Sequence, residues 1–134
     1  MADTRIVKEW LSKADDDFAF ADTTLREGNT FYAQLCFHFQ QSAEKYLKAL
    51  IIAKNMEFEK VHNLVYLLKT CQKIDLSLAT LFDECELLNS SYIDTRYPVH
   101  WPTNYTRERA HQAREAALKI GESVKKMLTE TGGI

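Results

Sequence analysis

Apolar residues recur every three or four positions along five segments of this chain, and this spacing constrains the fold more than any other feature. The interval matches one face of an α-helix, and no segment alternates apolar and polar residues over the length of a β-strand. Only 4 glycines and 2 prolines occur in 134 residues, so few positions interrupt the helices. The predicted helices span residues 4–27, 30–54, 63–73, 76–92 and 106–129.

These segments predict an all-α fold, an up-and-down antiparallel bundle of about five helices that forms a single domain over residues 1–134. Apolar residues make up 46% of the chain, which is enough to build a core at this length. Residues 130–134 are expected to fray. The predicted helix caps are Asp3 or Thr4 for the first helix, Asn63 or His62 for the third, and Asp75 or Ser77 for the fourth.

The charge and the apolar pattern exclude several classes of protein. The net charge is -2, so no broad basic field indicates binding to duplex DNA or to an anionic membrane. No window approaches about 20 uninterrupted apolar residues, the length of a membrane span. The segment MADTRIVKEW lacks the apolar run of a signal peptide. Cys36, Cys71 and Cys85 fall on apolar helix faces, as buried free thiols do, and the protein is predicted to be cytoplasmic.

The polar residues do not form a recognisable metal or cofactor motif. The four histidines include no pair spaced i, i+4, and no HExxH sequence is present. The run Asp15-Asp16-Asp17 cannot converge on one ion, because consecutive helical residues point about 100° apart. It therefore predicts a solvent-exposed face. Neither a glycine-rich phosphate loop nor a G-x-S-x-G sequence occurs, and we expect neither a metal nor a cofactor.

The stretch YIDTRYPVHWPTNY, residues 92–105, is the least helical and most chemically varied part of the chain. Pro98 disfavours a helical Tyr97, so the fourth helix should end around residues 94–96 and place Arg96 at its C-terminus. A cation is favoured there by about 0.3–1 kcal/mol, which is a sufficient structural reason for this arginine. Two prolines and several aromatic residues predict an ordered, partly buried loop.

A functional interpretation of the same stretch is also open. An arginine can bind phosphate through two donors, and a histidine can exchange protons near neutral pH. Arg96 and His100 would thus suffice for metal-independent RNA cleavage, with aromatic side chains stacking on bases. His62 is either a helix entry or a polar residue that faces the same cavity.

The second predicted helix carries two further signals. Its polar face holds Gln34, His38, Gln41, Lys45 and Lys48. Glu44 precedes Lys48 by four residues, the favourable order for a helical ion pair. Apolar side chains outside the main stripes indicate a second contact surface and hence a homodimer; they include Phe31, Phe37 and Ile52.

Three segments together resemble the HEPN domain family: CFHFQQSAEKYLKALI (36–51), HNLVYLL (62–68) and YIDTRYP (92–98). The resemblance spans nearly the whole chain and implies a helical bundle that assembles as a symmetric homodimer. Small members often accompany a minimal nucleotidyltransferase as toxin and antitoxin. Active members are ribonucleases with four to six residues between an arginine and a histidine. Here three residues separate Arg96 from His100, and Arg107 from His111.

The resemblance and the residues lead to three hypotheses. In the first, a dimeric, non-catalytic HEPN module binds a nucleotide or its nucleotidyltransferase partner between the second helix and residues 92–105. Arg96 and Lys45 would contact phosphate, supported by His62 and Tyr97. In the second, the protein is a metal-independent ribonuclease toxin that uses Arg96 and His100. In the third, it is a structural adaptor whose loop packs the dimer.

Overall fold

The computed structural model describes residues 3–57, 60–96 and 105–130, with only the backbone for residues 92–96. Within this part of the chain, five α-helices and one 3-10 helix form a bundle, which confirms the predicted all-α fold. The α-helices are α1 (Thr4–Arg26), α2 (Tyr32–Ala53), α3 (Leu64–Gln72), α4 (Phe82–Arg96) and α5 (Arg107–Glu130).

Side-chain caps begin three of the helical segments where the sequence predicts them. The Asp3 carboxylate accepts a hydrogen bond from the Arg5 amide at 2.9 Å. Asn63 Oδ1 accepts from the Tyr66 amide at 3.1 Å, so Asn63 rather than His62 is the cap of α3. Asp75 Oδ1 accepts from the Ser77 amide at 2.8 Å. Each cap satisfies an amide that lacks a partner inside its helix.

The predicted fourth helix begins later than its apolar pattern suggests. Residues Leu76–Leu81 form a 3-10 helix, and α4 begins at Phe82. Within that segment the Thr80 hydroxyl donates to the Ser77 carbonyl at 3.0 Å, a local bond that competes with α-helical pairing. The other end of α4 reaches Arg96, as Pro98 predicts. Residues 92–96 are therefore helical, and residues 97–104 lie outside the described part of the chain.

The helices α1 and α2 run antiparallel. The Phe18 ring packs edge-on against Phe39 at a centroid distance of 5.5 Å, and the Ser42 hydroxyl donates to the Ala14 carbonyl at 2.8 Å. The helices α4 and α5 are also antiparallel, because residue 90 contacts residue 109 whereas residue 84 contacts residue 119.

The short helix α3 runs parallel to α2. Gln40 donates to the His62 carbonyl at 3.1 Å, and the Cys71 thiol donates to the Leu47 carbonyl at 3.8 Å. Residue numbers therefore increase in the same direction along both segments. This direction requires the connection after α2 to return along the bundle. Asn55, with φ of 56°, ends α2 in a left-handed conformation and turns the chain for this return.

The core lies between α2 and the helices around it, and all three cysteines are buried in it. At Gly121 of α5 the Tyr46 ring approaches so closely that an added Cβ would lie 2.7 Å from its Cε2. The small residue therefore lets α5 approach α2. The largest fully buried side chains are Phe39, Leu35, Leu47, Leu50, Ile51, Leu64, Leu67, Leu68, Leu81, Leu88, Ile120 and Leu128.

The acidic run of α1 is not a uniformly solvent-exposed face. Asp15 accepts a hydrogen bond from the Tyr46 hydroxyl, and Asp17 forms an ion pair with Lys45. Only Asp16 is exposed, as the sequence interpretation expected for all three. The two paired carboxylates contact different residues of α2 because helical positions two residues apart point in different directions.

Candidate functional site

A stripe of polar side chains is buried along one side of α2. Gln40, Glu44 and Lys48, spaced four residues apart, are 0%, 4% and 6% exposed. Lys48 Nζ lies 3.1 Å from Glu44 Oε2 and 5.9 Å from the centroid of the Trp10 ring. The predicted ion pair is thus confirmed, and Lys48, which the sequence places on the polar face of this helix, is buried. A buried carboxylate needs a nearby cation, and Lys48 provides it.

His62 lies at the solvent edge of this stripe. Its Nδ1 is 3.0 Å from Glu44 Oε1 and 3.2 Å from Glu44 Oε2. Gln40 Nε2 donates to the backbone carbonyl of the same histidine at 3.1 Å. The His62 side chain is 48% exposed, whereas that of Glu44 is 5% exposed. A buried carboxylate therefore holds one edge of an imidazole that solvent can reach.

The residues that follow His62 are fixed to α4. Asn89 Oδ1 accepts from the Leu64 amide at 2.7 Å, and Asn89 Nδ2 donates to Asn63 Oδ1 at 2.9 Å. One side chain of α4 thus satisfies an N-terminal amide of α3 and also orients the residue that caps this helix. His62 is consequently held from α2 and, through its neighbours, from α4.

The start of α5 is attached to the next residue of α4. Arg109 donates to the Ser90 hydroxyl at 2.8 Å, and its guanidinium lies 4.5 Å from the centroid of the Tyr105 ring. An arginine over an aromatic face has a restricted orientation. Burial raises the pKa of the nearby Cys36 thiol to about 11, although the charge of Arg109 opposes the shift.

Lys45 and His62 are the two predicted ligand residues whose side chains the structure describes. Lys45 forms its ion pair with Asp17 of α1, whereas His62 is held by Glu44, so the two have different partners. Arg96 is the last residue of α4, and its side chain lies outside the described part of the structure, as do Tyr97 and His100. These site assignments remain predictions.

Two cavities formed by described residues include neither Lys45 nor His62 in their lining. A groove of about 750 Å³ runs between α4 and α5 and is lined by Asp83, Glu84, Leu87, Glu108, His111, Gln112, Glu115, Ala116 and Lys119. A second cavity of about 380 Å³ lies between α1 and α2, where Phe20 and Phe31 are 54% and 67% exposed. Among the described residues no group of three or more His, Cys, Asp or Glu side chains is arranged to hold a metal ion.

Sequence reasoning missed the roles of Gln40, Asn89 and Arg109. The i, i+4 spacing of Gln40, Glu44 and Lys48 was visible, but polar residues on a helix are ordinarily exposed, and their burial depends on helix packing. Asn89 bonds to residues 25 and 26 positions away, so no local signal points to its partners.

The domain model called HEPN domain matches residues 7–127 of this chain. A protein of Methanocaldococcus jannaschii named "Putative toxin MJ1304" is 24% identical over 97% of this chain and 93% of its own length. The structure of TT1696 from Thermus thermophilus is similar with a TM-score of 0.78 and 31% identity, over 90% of this chain and 96% of that one. ST0689, described as an archaeal HEPN homologue, gives a TM-score of 0.73 and 25% identity, over 91% and 97%. No helix in the described ranges is long and apolar enough to cross a membrane.

Proposed function

The chain belongs to the HEPN family, and on this premise we propose that it is a toxin-like protein that binds a phosphate-bearing ligand, a nucleotide or RNA. The binding site is the end of the bundle where α4 stops and α5 begins. The relative from Methanocaldococcus jannaschii, which carries the name of a toxin and matches this chain over nearly its full length, supports the toxin-like part of the proposal.

The observation that carries the proposed site is the pair of attachments at Asn89 and Ser90. These consecutive residues of α4 hold the segment that follows His62 and the Arg109 side chain, respectively. Arg96 follows Asn89 by seven residues, about 10 Å along the helix axis. The segment after His62 and the Arg109 side chain are thus attached to α4 about two helical turns before Arg96. Arginine donors suit the geometry of phosphate oxygens.

The proposed ligand contacts extend the sequence hypothesis. Arg96 remains the principal phosphate contact, Tyr97 and His62 support it, and Arg109 joins them. Lys45 contributes only if its ammonium group exchanges Asp17 for the ligand, because the two form an ion pair.

The assembly is also part of the proposal. A homodimer would cover exposed apolar residues such as Phe31, and a minimal nucleotidyltransferase is the proposed partner. Equilibrium sedimentation should give about twice the mass of the 15.5 kDa chain. A monomer at micromolar concentration would contradict the dimer without affecting the phosphate site of the single chain.

Calorimetric titration with AMP, ATP and a short RNA tests the binding site. The wild-type protein should bind at least one of them, and Arg96→Ala should weaken binding by about tenfold or more, as expected for the loss of a charge-assisted bond. Arg5→Ala is the matched control, because Arg5 is an exposed arginine at the opposite end of the bundle. Equal losses in the two variants would indicate nonspecific attraction. No binding by the wild type would favour the adaptor hypothesis.

A second candidate function is metal-independent RNA cleavage with Arg96 and His100. The observation that favours it is the carboxylate-held imidazole of His62, since this arrangement occurs where a histidine transfers protons. Incubation of the protein with RNA in EDTA distinguishes cleavage from binding alone.

A further inference from the structure

His62 is held more firmly than the start of a helix requires. Asn63 already caps α3, so the imidazole is not needed for that purpose. The ring nevertheless contacts both oxygens of the Glu44 carboxylate, and Gln40 fixes the backbone carbonyl of the same residue. The orientation of the ring is therefore determined from the side of α2, while nearly half of the side chain remains exposed.

The contact with Glu44 determines which ring nitrogen carries the hydrogen. An ionised carboxylate only accepts hydrogen bonds, so Nδ1 of His62 must be the donor. In the neutral imidazole, the lone pair then lies on Nε2, at the edge of the ring directed away from Glu44. Lys48 provides the charge that balances the buried carboxylate at 3.1 Å. Lys48, Glu44 and His62 thus form a series of contacts that leads from a buried cation to an oriented proton acceptor.

Stability does not explain this arrangement. A buried ion pair is on balance no more stabilising than apolar residues of the same volume, because both charges lose their hydration. Besides the buried Gln40 amide, which donates to Glu44 Oε1 at 3.4 Å, the pair is connected to a half-exposed histidine, and this second connection points to a role at the surface. The other described histidine with an acidic partner, His38, lies 3.9 Å from Asp17 and has no comparable buried support.

We propose that His62 is a catalytic acid–base residue toward RNA and that Glu44 is its positioning residue. The proposal rests on the proposed function, since it requires RNA at the end of α4. Nε2 of His62 accepts the proton of a ribose 2′-hydroxyl as the 2′-oxygen forms a bond to the adjacent phosphorus. The bond from phosphorus to the 5′-oxygen breaks, and that oxygen takes a proton from water. The products are a 2′,3′-cyclic phosphate and a 5′-hydroxyl end, and His62 returns its proton to solvent.

The first test measures cleavage of a short single-stranded RNA in EDTA, with the product ends identified by mass spectrometry. His62→Asn keeps a donor near Glu44 but cannot exchange protons, and it should slow cleavage by about 10²–10⁴-fold. His111→Asn is the matched control, because His111 is an exposed histidine of α5 in the groove beside α4. This variant should cleave RNA at the wild-type rate. His100→Asn, compared in the same assay, shows whether the second histidine also takes part.

Variants of Glu44 separate positioning from folding. Glu44→Asp keeps the charge beside Lys48 but withdraws the carboxylate from the imidazole, and it should slow cleavage by about 10–100-fold with little change in RNA affinity. Thermal unfolding checks that each variant is folded. A merely structural role for Glu44 predicts lower thermal stability with an unchanged rate for the folded fraction, and that result would overturn the assignment.

A measurement of the ring itself does not depend on activity. Nitrogen NMR of the neutral His62 side chain should report the hydrogen on Nδ1, and the Nε2–H tautomer would overturn the proposal. Wild-type protein that binds RNA but leaves it intact would overturn the catalytic role of His62 while the proposed binding function stands. Cleavage by His62→Asn at the wild-type rate would also overturn it. Protein that neither binds nor cleaves RNA would overturn the catalytic role of His62, and it would refute the proposed function as well if AMP and ATP also fail to bind.

Discussion

Two sides of α2 are buried for different reasons. One side carries an apolar stripe that includes Phe39 and Leu50 and packs into the core. The other carries Gln40, Glu44 and Lys48, which are as inaccessible as the core but bind one another and His62. The apolar stripe is buried because its exposure to water is unfavourable. This effect has no direction, so any close-packed apolar neighbour satisfies it. The polar stripe is tolerated only because each group meets a particular partner.

The comparison indicates which side of α2 stabilises the fold and which side supports a group at the surface. Apolar side chains contribute directly to the free energy of unfolding, whereas the polar stripe contributes little beyond what equally large apolar residues would. A stripe that is costly to bury and leads to an exposed histidine is better explained by function. Four sets of variants test this difference, ordered by their expected effect at neutral pH.

Removal of one partner from the polar stripe should have the largest effect. Lys48→Met leaves the Glu44 carboxylate buried beside an apolar group and should lower the free energy of unfolding by roughly 3 kcal/mol. The double variant Glu44→Leu with Lys48→Met should recover most of this loss, because it removes both charges. Chemical denaturation measures both. If the loss for Lys48→Met and the loss for Glu44→Leu alone simply add in the double variant, the two stripes do not differ in the way described.

The apolar side can be disturbed by adding a single methyl group. Gly121→Ala places a Cβ 2.7 Å from Cε2 of the Tyr46 ring, which packing and its bond to Asp15 hold in place. The expected destabilisation is about 1–2 kcal/mol, since strain outweighs the higher helix propensity of alanine. Gly28→Ala is a useful contrast: nothing lies within 4 Å of its added Cβ, but φ of 85° makes it strained for a different reason. A Gly121→Ala variant as stable as the wild type would show that Tyr46 moves freely.

The attachment of α3 to α4 should have a smaller effect on stability. Asn89→Ala removes the acceptor of the Leu64 amide and the donor to Asn63, at a cost of about 1 kcal/mol. The same variant should broaden the NMR signals of His62, because the segment after it is released from α4. Ser90→Ala, one residue further on, is the control that leaves this segment attached. Equal effects of both variants on His62 would contradict the separate attachments.

The sequence predicts the burial of the apolar stripe better than that of the polar stripe. Apolar periodicity predicts the helices and the core because apolar burial requires only the correct spacing. The caps at Asp3 and Asn63 are local and equally predictable. Lys48 lies on the predicted polar face, but its burial involves Trp10, which is distant in sequence, so the spacing alone does not show it. The parallel direction of α3 likewise depends on the connection after α2, whose length alone does not specify a path.

The effect that is smallest at neutral pH, because it appears only at alkaline pH, concerns the thiols of the core. Burial raises the pKa of Cys71 and Cys85 to about 12, from a value of 9.0 for an exposed thiol. Above about pH 9 the unfolded chain therefore loses these protons first, and the native state should become progressively less stable as the pH rises toward 12. Denaturation midpoints at pH 8 and pH 10 measure the decline. Cys71→Ala should make it shallower, whereas an unchanged slope would exclude this thiol as a cause.

The adjacent attachments at Asn89 and Ser90 have a mechanical consequence. Because neighbouring residues of one helix hold the starts of α3 and α5, a rotation or axial shift of α4 would displace both starts at once. A molecule that binds the exposed side of α4, in the groove lined by Asp83 and Glu108, would thereby shift the positions of His62 and Arg109 together. The bundle thus contains a built-in linkage by which one contact on a single helix can adjust two segments of the proposed ligand site in concert.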